Sequence, residues 1–63
     1  MKYEVGDILK IKDTNTHFII TGKIPAIGMD WYNVEWLEGG VKESYSSIKM
    51  DFFAEMVQKG RMG

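Results

Sequence analysis

The stretch DWYNVEWLEGGVKESY, residues 30–45, reads as two β-strands joined by a tight turn. Successive side chains on a strand point to opposite faces. Tyr32, Val34 and Trp36 therefore share one side, and Trp31, Asn33, Glu35 and Leu37 share the other. The first set is apolar throughout and belongs to a core. The second sets a tryptophan among polar neighbours. Glu38-Gly39-Gly40 closes the hairpin, since glycine takes positive φ without steric cost. Residues 41–47, VKESYSS, are polar and suit a strand near a sheet edge.

Upstream of this hairpin two further strands are legible. GDILKIK (6–12) carries apolar and β-branched residues between lysines, and DTNT (13–16) is dense in residues whose side chains bond their own backbone in turns. HFIITGKI (17–24) is strongly β-prone, with Gly22 marking a bend or bulge. Pro25 has no N–H to donate and ends regular pairing. PAIGMD (25–30) follows as a loop.

The tail IKMDFFAEMVQKG (48–60) admits two readings. Ile48, Phe52, Phe53, Met56 and Val57 fall on one helical face with Asp51 as a cap, which describes a helix. Alternatively, a single helical turn near 48–53 leads into a final strand, 54–58. The second reading is preferred, because a four-stranded sheet this small needs its open edge covered. Residues 60–63 are expected to fray.

Sixty-three residues make one domain, 1–63, with no room for a second. A chain this short buries only about 60% of its unfolded surface, so good packing or self-association has to support it. Cysteine is absent, which removes disulfides and thiolate metal sites, and one histidine does not build a typical zinc centre. No cofactor is expected. Hydrophobic residues at 44% and charged residues at 27% describe a folded chain. The net charge of −1 is unlike the strong basicity of proteins that neutralise many phosphates. Apolar runs reach only three residues, as in Phe18-Ile19-Ile20, which argues against a membrane partner and a secretion signal. A cytoplasmic setting is expected.

Sorting each strand by alternation gives an inner set of Leu9, Ile11, Phe18, Ile20, Gly22, Ile24, Tyr32, Val34 and Trp36, closed by Val5, Tyr45, Ile48, Phe52 and Val57. The outer set is mostly polar: Lys10, Lys12, His17, Thr21, Lys23, Asn33 and Glu35. Its exceptions are Ile8, Ile19, Trp31 and Leu37. On neighbouring strands these four would form an apolar patch on the order of 300–400 Å², the size at which contact sites begin.

The order VGDILKIK, turn, FIITGKI, loop, WYNVEWLEGG, then SYSSI resembles the Src-homology-three-like (SH3-like) small-barrel superfamily, with its Tudor and KOW-type members. The residues carrying the likeness are Gly6-Asp7, Gly22, Tyr32-Asn33-Val34-Glu35-Trp36 and Glu38-Gly39, and it spans roughly residues 4–50. In style the chain is also similar to short barrel proteins of tailed bacteriophages, marine ones included. A weaker resemblance to Sm-like ring proteins rests on ITGKI (20–24) and DWYN (30–33), one residue short between Asp30 and Asn33. The resemblance implies an all-β, five-stranded barrel with one short helical turn near the C-terminus.

Catalysis finds no support, since His17 has no local carboxylate or nucleophile beside it, and TGKIPAIG lacks a phosphate-loop pattern. Recognition fits better. The Tudor likeness implies an aromatic cage for methylated ammonium groups, with Tyr3, Trp31 and Tyr45 as its walls and Asp30 or Glu43 as its carboxylate. Lys10, Lys12 and Lys23 beside Trp31 would suit RNA or single-stranded DNA, with bases stacked on the indole. A solvated charged face explains these lysines equally well. Ile8, Ile19, Trp31 and Leu37 suit a protein partner or a second copy, because tryptophan is enriched among interface anchors. The favoured expectation is a non-enzymatic protein-binding or self-assembling module, of host cytoplasm if viral, with a nucleic-acid accessory role as the alternative.

Overall fold

A computed structural model describes residues 3–60. Five antiparallel strands form one sheet in the order β4-β3-β2-β1-β5. They are β1 (Ile8–Ile11), β2 (His17–Ile24), β3 (Trp31–Trp36), β4 (Lys42–Ser46) and β5 (Ala54–Gln58). One short helix, α1 (Ser47–Phe53), links β4 to β5. The helical turn followed by a final strand is thus the arrangement the tail adopts. β5 pairs with β1 and covers an edge that would otherwise expose β1 backbone groups.

The turns form where the sequence supplies the right residues. Gly39 and Gly40 both have positive φ in the β3–β4 turn. In the β1–β2 turn Asp13 takes a φ of 64°, and Thr14 Oγ1 donates to the Ile11 carbonyl at 2.8 Å. The helix starts at Ser46, whose side chain accepts from the Lys49 amide at 3.2 Å, and not at Asp51. An N-cap of this kind contributes about 1 kcal/mol.

The core consists of Tyr3, Leu9, Phe18, Ile20, Tyr32, Val34, Met50 and Ala54, with Val5, Ile11, Trp36, Tyr45 and Phe53 packed around it. Phe18 is its hub, edge-on to Trp36 at 5.6 Å and to Phe53 at 6.3 Å between ring centroids. Tyr45 and Phe53 meet at 5.0 Å. Such pairs contribute roughly 0.5–1.5 kcal/mol beyond the area they bury.

Four large side chains expected inside lie outside. Ile24 is 39% exposed, Ile48 62%, Phe52 83% and Val57 49%. Each has a geometric cause. A bulge in β2 steps over Thr21: Ile20 pairs with Val34, but Gly22 pairs with Asn33 and Ile24 with Trp31. Paired residues share a face, so Gly22 and Ile24 join the outer set and Lys23 moves to the Tyr32 side. In α1, Met50 is buried, with Phe53 one turn on packed against the core, while Ile48 and Phe52 stand opposite Met50. In β5 the register shifts between Ile8 and Leu9: Ile8 pairs with Gln58 and Leu9 with Met56, which leaves Val57 unpaired.

Of the positions assigned to the frayed tail, Gly60 is bonded to Asp7, and 61–63 lie outside the described residues. Asp7 is fully buried. Its carboxylate accepts from the Gly60 amide at 2.6 Å, from the Glu4 amide at 2.9 Å and from Lys59 Nζ at 2.9 Å. Burial pushes the carboxyl upward, but the two amides and the ammonium outweigh it and hold the group below the usual aspartate range. One side chain therefore ties the N-terminal turn to the end of β5.

Candidate protein-contact surface

The outward face of the sheet is organised in rows set by strand register. One row runs Ile8, Ile19, Glu35, Lys42. The next runs Gly22, Asn33, Ser44, and the last Ile24, Trp31, Ser46. Of the four residues expected to form one apolar patch, only Ile8 and Ile19 are direct partners, and both are half-buried. Leu37, 52% exposed, follows β3 at its far end, where its amide donates to the His17 carbonyl at 3.0 Å. Trp31 lies two alternations along β3 from Glu35, the partner of Ile19, or roughly 14 Å at the usual strand rise.

What separates them is polar. Ser44 Oγ donates to Asn33 Oδ1 at 2.8 Å, and Thr21 Oγ1 donates to the Asn33 carbonyl at 3.3 Å. These residues, with Glu35, Lys42 and Glu43, line a shallow hollow open to solvent. The four expected interface residues therefore do not make one surface.

Trp31 instead has a neighbour that alternation had placed in the core. Ile24 is its register partner, and each is 39% exposed. Between them the loop 25–30 presents Ile27, which is completely exposed, and Met29, 36% exposed. From Ile24 to Met29 there is no charged side chain. The loop is tied back at its end, where the Ser47 amide donates to the Asp30 carbonyl at 2.9 Å. That bond also brings the start of α1 alongside, whereas Phe52 lies at the other end of the helix, where its carbonyl accepts from Lys12 Nζ. The one signal in the sequence that pointed here was Gly22, since a bulge at that position inverts the phase of everything after it.

The lysines do not assemble into a common face. Lys10 pairs with Glu55 at 2.8 Å, and that hydrogen bond and charge lower the Glu55 carboxyl. Lys12 Nζ donates to the carbonyls of Asp51 at 3.4 Å and Phe52 at 3.3 Å, at the C-terminal end of α1. Lys23, paired with Tyr32 beyond the bulge, is on the other side of the sheet from Trp31.

Nor do Tyr3, Trp31 and Tyr45 form a cage. Tyr3 is buried, edge-on to Tyr32, with its hydroxyl donating to Asp51 at 2.5 Å. Burial first, then Asp51, raises its pKa. Tyr45 pairs with Tyr32, so it shares the inner side, and Lys49 Nζ already sits 5.3 Å from its ring. Trp31 faces the opposite way. Among the described residues no three His, Asp or Glu side chains converge as metal ligands, and His17 Nδ1 lies 2.9 Å from the Asn15 carbonyl. No helix of the described residues is long and apolar enough to cross a membrane. The chain matches no family model, no curated protein and no solved structure.

Proposed function

We propose that this chain is a non-enzymatic protein-binding or self-assembling β module of the Src-homology-three-like kind, working in the cytoplasm. The family part of the proposal rests on the order of its motifs, from Gly6-Asp7 to Glu38-Gly39. It is in keeping with a sheet whose first strand pairs with both the second and the fifth. The functional part rests on one observation: Trp31 stands on the outward face beside Ile24, at the foot of a loop that carries no charge from Pro25 to Met29. A half-exposed indole next to an aliphatic side chain is the residue chemistry that anchors protein interfaces. A chain with so small a core also gains stability from any association, by mass action.

Trp31→Ala tests the reading. The variant should keep the wild-type circular dichroism and thermal midpoint, because the indole lies outside the core, and should lose association with its partner or itself. A collapsed fold would place the indole in the core and end the proposal. A folded variant that associates as well as wild type would end it too.

A further inference from the structure

β4 ends the sheet on one side, and among the described residues no strand pairs with its outer edge. Two bonds fix which of its backbone groups face that edge. The Trp36 amide donates to the Val41 carbonyl at 2.8 Å, and the Ser47 amide donates to the Asp30 carbonyl at 2.9 Å. Residues bonded to the neighbouring strand alternate along an antiparallel ladder. Val41, Glu43, Tyr45 and Ser47 therefore bond toward β3, and Lys42, Ser44 and Ser46 turn their amides outward. The register runs unbroken from Glu35–Lys42 to Trp31–Ser46, whereas β5, the other edge, is bent by the shift beside Ile8. A regular open edge is a template for an added strand.

The charges on β4 restrict what can be added, because Lys42 and Glu43 discourage a strand that does not answer them. Glu43 pairs with Val34 and Tyr45 with Tyr32, so both lie toward the inner side. Burial first, then the Glu43 charge, raises the Tyr45 pKa. Lys49 Nζ stands 5.3 Å from the centre of the same ring. Among the described residues neither Glu43 nor Lys49 is in an ion pair.

We propose that the strand added to β4 is β4 of a second copy, paired antiparallel about a twofold axis at Ser44. The proposal rests on the self-assembling form of the reading above, and it names the seam. In this register Glu43 stands opposite Tyr45 of the other copy, beside Lys49 there, and symmetry repeats the pair. The Ser44 amide donates to the Ser44 carbonyl across the seam, and the Ser46 amide to the Lys42 carbonyl. An axis at Glu43 would set the two Glu43 carboxylates against each other, and one at Tyr45 would run Glu43 past the strand end onto α1. Self-pairing about Ser44 answers both unpaired charges with groups already in the chain. On the outward face, Lys42 of the second copy follows Ser46 in the row that holds Trp31 and Ile24, which sets the indole one strand from the seam.

Sedimentation equilibrium of the whole chain from micromolar to millimolar concentration tests it, with circular dichroism of each variant as the check on folding. Wild type should dimerise. Glu43→Lys and Lys49→Glu should each weaken the dimer about tenfold, since each reversal acts at both symmetric pairs. The two together should return it to within about threefold of wild type. Ser44→Pro removes an amide that faces water in the monomer, a change edge strands tolerate, and should abolish dimerisation. If that variant unfolds, the charge exchange alone decides. A double exchange as weak as the single reversals overturns the proposal. So does a dimer that withstands Ser44→Pro and both reversals but is lost in Trp31→Ala, a result that leaves the reading above standing on the outward face. A wild-type chain that stays monomeric throughout overturns it as well, and the broader reading then rests on whether Trp31→Ala abolishes binding to a different protein.

Discussion

Ile24 and Trp31 are register partners on the outward face of the sheet, although unbroken alternation from Phe18 would put Ile24 in the core. The bulge at Thr21 is the cause. One extra residue on β2 opposes none on β3, so every later side chain changes sides. A Cβ on Gly22 would meet Asn33 Nδ2 at 3.3 Å, tighter than an ordinary contact, and the absent side chain keeps the strands close there.

The bulge makes two isoleucines on one strand unequal. Ile20→Ala should cost about 3 kcal/mol, because it empties a buried position. Ile24→Ala should cost less, about 1 kcal/mol, since its side chain is already partly exposed. Urea denaturation of the two variants measures the difference. Equal costs would mean that the alternation runs unbroken.

Adjacent phenylalanines in α1 provide the same contrast for the helix. Phe53 packs on Phe18 and Tyr45, and Phe53→Ala should cost about 3 kcal/mol. Phe52 is 83% exposed, and Phe52→Ala should change monomer stability by less than about 0.5 kcal/mol. Denaturation at concentrations low enough to keep the chain monomeric separates this from any effect on association.

Asp7 gives the fold an acid limit. Its folded pKa is depressed, so its contribution is fully present above the ordinary aspartate value near 4 and is lost as pH falls through the lower folded value. Asp7→Asn should cost about 2 kcal/mol at neutral pH, the worth of a lost charge-assisted hydrogen bond. Stability curves of wild type and variant should then converge in acid. Parallel curves down to the acid limit would show that the carboxylate is not the group that titrates.

Gly60 is fixed by contact. A Cβ there would lie 2.5 Å from the Gly6 carbonyl carbon and 2.8 Å from the Asp7 nitrogen, both backbone atoms that cannot swing aside. Gly60→Ala should therefore destabilise by about 1–3 kcal/mol, as overpacking does, and should speed amide exchange in β5. An unchanged thermal midpoint would show that the end of β5 is not held against the first turn.

The scattered lysines lead to an expected negative. A labelled single strand titrated at low and at moderate salt should show little binding at either, because Lys10 is paired and Lys23 faces away from Trp31. Tight binding that weakens steeply with added salt would restore the nucleic-acid reading.

All four early strands and the turns between them are legible from local residues: alternation in 17–24 and 31–36, Asp, Asn and Thr in 13–16, and the paired glycines at 39 and 40. These features depend on near neighbours in the chain, and local chemistry decides them. The side on which a residue lands is a different matter, since it depends on counting from an unbroken reference. Gly22 announced a bulge, but whether β2 or β3 absorbs the extra residue is decided only when the two strands pair. Trp31 was rightly read as outward, yet its companions had to come from strand register, which joins Ile24 to it and leaves Ile8, Ile19 and Leu37 elsewhere.

The tail shows the same division. A seven-residue helix with four apolar or aromatic positions, Ile48, Met50, Phe52 and Phe53, can turn several faces inward, and propensity does not choose between them. The choice of Met50 and Phe53 over Ile48 and Phe52 follows from where β4 delivers the chain, at the Ser46 cap, and from where β1 receives it at Ala54. Short-range preference thus sets what each segment is, whereas the rotation of each segment about its own axis is fixed by partners far along the chain, because only those contacts remove one face from water.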